Sequence, residues 1–210
     1  MKISGKMIKY KLTDQQNYTR RGEKNETLWE PGRMNRAAGN GASLCTEDVI
    51  HFYDTPLIAA FMNPVHANFD SPGCWEIEVD GVVAHDGTKG GTKIATAIKP
   101  LPLPVITREQ VVRFAIFCAL EVYKEPTFVV WAEKWLSGVD RSQLAARAAR
   151  ARAEARAVAE AAWTAAWAVA EAAAAGPWAA EVAVRAAEAV AVAARAKYFN
   201  LHILALRAME

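Results

Sequence analysis

The chain has 210 residues, 25 basic and 23 acidic side chains, and a formal net charge of +2. This length can bury a hydrophobic core in one or two domains, and the near balance of charge excludes a strong general field that would select nucleic acid or an anionic membrane. The N-terminus lacks an apolar signal-peptide stretch and the alanine-rich tract carries a charge every few residues, so we expect a cytoplasmic protein with no transmembrane span.

The first hundred residues predict a β-rich head. Residues 75–79 alternate between apolar and acidic side chains, which is typical of a strand with one buried face, and the Asp80-Gly81 pair favours a hairpin. Thr46 precedes two acidic residues, as at a helix N-terminus. The predicted elements are a strand over 7–12, a long loop over 13–43 in which Trp29 is packed, a helix over 47–53, a helix over 57–62 between Thr55-Pro56 and Asn63-Pro64, and strands over 75–79, 82–85 and 93–98.

The hydrophobic period changes to that of a helix after the proline-rich stretch 100–106. Thr107 and Gln110 form a capping-box pattern before a helix over 108–124, which is apolar almost all round and should therefore be buried on every side. A shorter helix should run from Pro126 to a glycine cap at Gly138.

Alanine, the best helix former, dominates the remainder of the chain. We expect a long helix from Asp140 to Gly176 and a last helix from Pro177 towards Arg207, which pack as an antiparallel pair through faces of small residues. The whole pattern predicts an α+β fold: a small β-rich head over 1–99, a proline-rich connector over 100–106, and a helical array over 107–210 that contains an alanine-rich antiparallel helical bundle.

Residues with obvious chemistry are few and form no catalytic motif. The histidines, His51, His66, His85 and His202, lack the close spacing of metal ligands, so we expect no metal site. The glycine-rich segments lack the spacings of nucleotide-binding loops, and we expect no cofactor. Cys45 precedes the predicted helix N-terminus, which would favour a thiolate, although a buried structural cysteine is the favoured explanation.

The head contains residues for one candidate site. Lys89 lies in a glycine-rich segment after a strand, where backbone N–H groups could hold a phosphate, but a plain β-turn explains the same composition more simply. An enzyme acting on a nucleotide or an ADP-ribose-type substrate would have its site around His51, Tyr53, Asp54, His85, Asp86 and Lys89.

The predicted long helix offers a second candidate site. At about 100° per residue, Trp163 and Trp167 lie on the same side of the helix as Arg152 and Arg156. Aromatic faces beside guanidinium groups suit a planar anionic ligand such as a nucleotide. Packing of the tryptophans against another helix or the head is the favoured alternative, and a subunit interface is a third.

Two groups of motifs are similar to known proteins. The features Leu44-Cys45, Asp48-Val49, Tyr53, Trp75-x-x-Glu78-x-x-Gly81 and Asp86-Gly87-x-Lys89 within residues 8–99 resemble the N-terminal module of phage and prophage proteins of unknown function. The features Arg113-Phe114-Ala115, Cys118-Ala119 and Trp135-Leu136-x-Gly138 within residues 108–200 resemble alanine-rich helical proteins described as immunity proteins. The resemblance implies a phage or mobile-element setting, a host-cell cytoplasmic location and no catalytic residues.

These observations favour a non-catalytic, phage-type accessory binding protein. It would counteract a host defence system or toxin, either as a sponge for a nucleotide-like immune signal or by masking a host protein, and the small-residue helix faces predict a homo-oligomer. The alternatives from other classes are the enzyme with its site in the head and a structural phage assembly protein.

Overall fold

A computed structural model describes the backbone of residues 3–155 and 200–210 and the side chains of residues 5–149 and 200–210. The chain divides into two compact units, Met1–Val105, which keeps the name head, and Ile106–Glu210, which we call the helical unit. Antiparallel sheets and helices are both present, so the fold is α+β.

The described part of the head consists of nine strands and one helix. These are β1 (Ile3–Thr13), β2 (Tyr18–Thr19), β3 (Thr27–Leu28), β4 (Met34–Arg36), β5 (Ile50–Phe52), α1 (Pro56–His66), β6 (Gly73–Val82), β7 (Ala84–His85), β8 (Gly90–Thr92) and β9 (Ile94–Leu101). The main sheet has the order β1-β6-β9-β4, a second has the order β5-β8-β7, and β2 pairs with β3. All of these pairings are antiparallel.

The head core lies on the apolar face of β6, and the predicted alternation of residues 75–79 is confirmed there. The core cluster consists of Trp29, Phe52, Trp75, Ile77, Val79, Val82, Ala95 and Ala97. The packing predicted for Trp29 is also confirmed, because its side chain is 1% exposed and its Nε1 donates to Thr19 Oγ1 at 3.2 Å. Each large apolar side chain buried in this way contributes about 1.5–3 kcal/mol, which holds the long loop region against the sheet.

The helix predicted over 47–53 is wrong, because Ile50–Phe52 forms β5 and pairs with β8. The Thr46 hydroxyl accepts from a backbone N–H two residues later, but it closes a turn rather than a helix. The Phe52 ring packs against the backbone of Gly90, where a Cβ would overlap the ring. This contact between residues distant in the chain outweighs the local helix signal.

The hairpin predicted at Asp80-Gly81 is also wrong. β6 continues through both residues, and its pairing with β1 shifts register between Ile3 and Lys6. Gly81 has a φ of +77°, a conformation that glycine supplies at β-bulges. The chain reverses instead after His85, where β7 turns into β8.

Two prolines lie inside elements that were predicted to end before them. α1 begins as predicted, with Thr55 Oγ1 accepting from the N–H of Ile58 at 3.2 Å, but it continues past Pro64 to His66. Pro64 lies in the last turn, so the missing N–H removes a single helical hydrogen bond. Pro100 lies in β9 opposite Trp75 and beyond the short stretch of β9 that pairs with β4. The N–H group that proline lacks is therefore not required for pairing with β4.

The described part of the helical unit consists of α2 (Arg108–Val122), α3 (Pro126–Leu136), α4 (Gln143–Ala155) and α5 (Leu201–Met209). The predicted capping box is confirmed: Thr107 Oγ1 accepts from the N–H of Gln110 at 3.2 Å, and the N–H of Thr107 donates to Gln110 Oε1 at 2.8 Å. Every residue of 114–119 is buried, which confirms the expectation for the middle of α2. α2 packs against α3 and α5, and α3 packs against α4.

The predicted starts of the later helices need correction. α4 starts at Gln143 instead of Asp140, because the Ser142 hydroxyl accepts from the N–H of Ala145 at 3.2 Å and provides the cap. Asn200 Oδ1 caps α5, so the last helix does not run unbroken to Arg207. The predicted helices and their Gly-Pro break within 156–199 lie outside the described residues. None of the helices that the structure describes combines the length and the apolar character needed to cross a bilayer.

Candidate functional site

The head contains a cavity of about 640 Å³ whose lining includes five basic and five ring-bearing side chains. The basic lining residues are Lys11, Arg20, Arg21, Arg36 and Lys89, the acidic ones are Glu23, Glu26 and Glu47, and the ring-bearing ones are Trp29, His51, Tyr53, His66 and Phe69. A cavity of this size can enclose a ligand as large as a nucleotide. Five basic against three acidic side chains favour an anion.

β1 carries a lysine into this cavity. Lys11 is partly buried, and its Nζ lies 5.9 Å from the ring centroid of Trp29, within the range of a cation–π contact. Burial lowers the pKa of Lys11 to about 7, and the positive charges of Arg20 and Lys89 lower it in the same direction. We call Lys11, Arg20 and Lys89 the cation cluster.

The cation cluster is not neutralised by ion pairs. Within the described residues, none of its three members forms a salt bridge with a carboxylate. Arg20 donates from Nη2 to the carbonyl oxygen of Thr46 at 3.1 Å, which uses one of five guanidinium N–H groups. The cluster therefore concentrates positive charge at one wall of the cavity.

Lys89 contacts Cys45 through its side chain and so links the turn before β8 to the loop before β5. Its side chain is 5% exposed, and its Nζ lies 3.1 Å from the Sγ atom of Cys45. Cys45 itself is exposed and has a left-handed φ of +65°, so its thiol lies at the accessible side of the cavity. The buried cysteine predicted at this position is wrong, because Cys45 lies on an exposed loop.

His51 fixes the loop that carries Cys45. The backbone N–H of Cys45 donates to Nε2 of His51 at 2.8 Å. Burial lowers the pKa of His51 to about 3, and the charges of the cation cluster act in the same direction, so the imidazole is neutral at pH 7. Because Nε2 accepts a hydrogen bond, the proton is on Nδ1, and Nε2 does not serve as a base for the thiol.

Tyr53 and His66 form an aromatic wall. Their ring centroids are 5.9 Å apart and their planes differ by 19°, so the rings are stacked. The backbone of Tyr53 exchanges two hydrogen bonds with that of Tyr10, at 2.8 and 3.0 Å. Burial raises the pKa of Tyr53 far above its ordinary value, and Asp86 and Cys45 act in the same direction, so its hydroxyl remains a neutral donor.

The turn before Lys89 is closed by its own side chains. Asp86 Oδ1 accepts from the N–H groups of Thr88 and Lys89 at 2.9 and 3.0 Å, and the N–H of Gly87 donates to Nδ1 of His85 at 3.0 Å. Burial tends to raise the pKa of Asp86, but the hydrogen bonds from Thr88 and Lys89, together with the positive charge of Lys89, outweigh it and lower the pKa. The backbone N–H groups are thus taken up within a β-turn and are not directed at a phosphate.

The remaining residues predicted for the head site form a separate cluster. Asp54 accepts from His85 Nε2 at 3.1 Å and from Lys9 Nζ at 2.6 Å. The bond from His85 and then that from Lys9 lower the pKa of Asp54 to about 2. Asp54, His85 and Asp86 do not line the cavity, whereas His51, Tyr53 and Lys89 do.

The site predicted on the long helix is not described. The backbone of Arg152 lies in α4 but its side chain is outside the described residues, as are Arg156, Trp163 and Trp167 entirely. In the part of the chain that is described, no three His, Cys, Asp or Glu side chains are grouped closely enough to hold a metal ion.

Sequence reasoning did not single out Lys11, Arg20 or the cavity itself. One signal was present, because Lys9 and Lys11 occupy alternate positions of a predicted strand and therefore share one face. Both lie beside core rings, with Lys9 Nζ 5.6 Å from the Phe52 centroid. Lysines on the core-facing side of a strand indicate a polar site where apolar packing would otherwise be expected.

Comparison with known proteins identified no relative of this chain. No protein-family model, no curated protein and no solved structure matches the chain.

Proposed function

We propose that the chain is a non-catalytic, phage-type accessory binding protein whose head holds a small nucleotide-like anion. Sequestering such a molecule would counteract a host defence system that uses it as a signal. The observation that supports this proposal most directly is the cation cluster at the wall of the 640 Å³ cavity, because three basic side chains meet there and none of them forms a salt bridge with a described carboxylate.

The lining also suits the aromatic part of a nucleotide. His66 and Phe69 are only partly buried and provide rings in the same cavity as the cation cluster, and His66 stacks on the buried Tyr53 ring. A base needs flat apolar contacts and a phosphate needs cationic donors. A ligand with both parts uses the whole cavity, whereas a simple inorganic anion uses one wall.

Isothermal titration calorimetry of the full chain with cyclic nucleotides and ADP-ribose derivatives tests the proposal. We expect saturable binding of at least one compound and no change in that compound when it is recovered. The same compound should bind at least about tenfold more weakly to Lys89→Met, because a charge-assisted contact is worth about 1.5–3 kcal/mol. Lys99→Met, an exposed lysine of β9 that does not line the cavity, is the matched control. Absence of binding by all of these compounds contradicts the proposal.

A second candidate function is an enzyme that acts on a nucleotide or ADP-ribose-type substrate. The observation that favours it is that His51, Tyr53 and the Cys45 thiol line one cavity. Product formation that is abolished by His51→Ala would support the enzyme over the binding protein. Recovery of intact ligand after long incubation would support the binding protein.

The proposal also covers the packing and self-association of the helical unit. We propose that its alanine-rich segment forms an antiparallel bundle through small-residue faces, and that these faces associate copies of the chain into a homo-oligomer in the host cytoplasm. Arg152, Arg156, Trp163 and Trp167 are proposed as an additional ligand or subunit contact. Masking of a host defence protein by this surface is the other way in which the chain would act against a defence system or toxin.

A further inference from the structure

The cation cluster combines three features that an ordinary surface patch of basic residues lacks. Its members come from three separate segments, namely β1, the loop after β2 and the turn before β8. Lys89 is 5% exposed and Lys11 is partly buried, so water does not fully solvate their ammonium groups. Among the described residues, none of the three forms a salt bridge that would compensate this loss of hydration directly, and Asp86 attracts Lys89 only from beyond salt-bridge distance.

We propose that the cation cluster is the phosphate subsite of the head cavity, and that Lys11 takes up a proton when the phosphate binds. The inference rests on the proposed function, and it specifies which part of the ligand the three cations recognise. A phosphate monoester or pyrophosphate group carries about two negative charges and three or more acceptor oxygens. That number matches one ammonium donor from each lysine and a guanidinium fork from Arg20.

The described acidic side chains at or near the cavity form no salt bridge with the cation cluster. Glu26 Oε2 accepts from the N–H of Gly22 at 2.7 Å, and Glu23 lies on the same loop between β2 and β3. Glu47 lies on the loop before β5 and forms no salt bridge with the cluster among the described residues. Asp86, which does not line the cavity, attracts Lys89, and its Oδ1 atom accepts from the backbone of its own turn.

The basic and neutral groups that face the cluster oppose a full charge on Lys11. Arg20 and Lys89 repel its ammonium group, and Arg21 and Arg36 line the same cavity. His51 and His66 add no negative charge, and the thiol of Cys45 already contacts Lys89. Without a ligand, the Lys11 amine therefore loses its proton near neutral pH, and a bound dianion favours the ammonium form again.

The test is calorimetric titration of the full chain with ADP-ribose, inorganic pyrophosphate and adenosine, in buffers of different ionisation enthalpy at pH 8. We expect ADP-ribose and pyrophosphate to bind with uptake of up to about one proton, and adenosine to bind at least about tenfold more weakly than ADP-ribose. Lys11→Arg should retain binding without proton uptake, because a guanidinium is always protonated. Lys11→Met should weaken pyrophosphate at least about tenfold, whereas Lys99→Met should not.

Three results overturn the inference. Equal binding of adenosine and ADP-ribose shows that the phosphate is not recognised, and equal binding of pyrophosphate by wild type and Lys11→Met shows that Lys11 is not part of the subsite. Binding of ADP-ribose or pyrophosphate without proton uptake overturns the linkage to Lys11. These outcomes leave a nucleotide-binding head intact, whereas the failure of every nucleotide and phosphate compound to bind removes the proposed function as well. Thermal unfolding of Lys11→Met confirms that the variant is folded before its affinity is interpreted.

Discussion

The Nζ atom of Lys89 lies 3.1 Å from the Sγ atom of Cys45, although 44 positions separate the two residues in the chain. The contact joins the loop before β5 to the turn before β8 at the wall of the head cavity. It places a buried ammonium and an exposed thiol where a ligand in the cavity would meet both. The reactivity of this thiol therefore reports on the cavity.

Cys45 should be the thiol that reacts with iodoacetamide in the folded protein. Cys74 and Cys118 are 2% and 0% exposed, and burial raises the pKa of Cys74 to about 11 and raises that of Cys118 well above its ordinary value. Both are therefore protonated and shielded from the reagent. Mass spectrometry should show one adduct on the native chain and three in denaturant. Native Cys45→Ser should show none, and a labelled Cys74 or Cys118 in that variant would contradict the buried core.

The Asp54 ion pairs should make head stability depend on pH in acid. The folded-state pKa of Asp54 is about 2 against an ordinary value of 3.8. Its contribution is therefore fully present above pH 3.8 and is lost as pH falls through 2. The side chain is 47% exposed, so Asp54→Asn should cost only about 0.2–1 kcal/mol near neutral pH. Urea unfolding between pH 2 and 6 should show this difference shrinking towards zero at the acid end. Asp70→Asn, which removes an exposed head carboxylate, should show no comparable difference.

Gly90→Ala should destabilise the head, because the added Cβ would overlap the Phe52 ring. Phe52 is fully buried, so the ring cannot move into solvent, and overpacking of this kind costs about 1–3 kcal/mol. Urea unfolding measures the loss. Gly90→Ala combined with Phe52→Leu should lose less than the sum of the single variants, and strict additivity would show that the two residues do not interfere.

Thr107→Ala should destabilise the start of α2 by about 0.5–2 kcal/mol, because it removes the hydroxyl that accepts from the N–H of Gln110. Thr107→Ser retains that acceptor and is the matched control. The free energy of unfolding of the two variants, measured in urea, should therefore differ. Equal losses would mean that the methyl group of Thr107, and not the cap, stabilises the helix.

The sequence predicted correctly those elements that depend on residues close together in the chain. The alternation around Ile77, the capping box at Thr107 and the cap at Thr55 all appear in the structure, because each depends on residues close in the chain. The failures at 47–53 and Asp80-Gly81 arose where partners distant in sequence decide the conformation. β5 forms because it pairs with the glycine-containing β8, and β6 continues through Gly81 because it pairs with β1. Neither pairing can be seen in a short stretch of sequence.

The candidate site was predicted in part for the same reason. His51, Tyr53 and Lys89 were singled out by residue type, and the structure brings them to one cavity. Asp54, which follows β5, and His85 of β7 meet each other instead, and Asp54 also contacts Lys9 of β1. Lys11 and Arg20 were missed, since a lysine in a strand and an arginine in a loop are ordinary until the fold places them around the same cavity.

Protection of Cys45 from alkylation measures the central claim most directly, because it reports both binding and its location. The folded chain is treated with iodoacetamide at increasing concentrations of ADP-ribose and of cyclic nucleotides, and the Cys45 adduct is quantified by peptide mass spectrometry. We predict that at least one compound slows alkylation of Cys45 in a saturable manner, and that Lys89→Met shifts the half-maximal concentration upward at least about tenfold. Binding by calorimetry with an unchanged rate of Cys45 alkylation at saturation would contradict the head cavity as the ligand site.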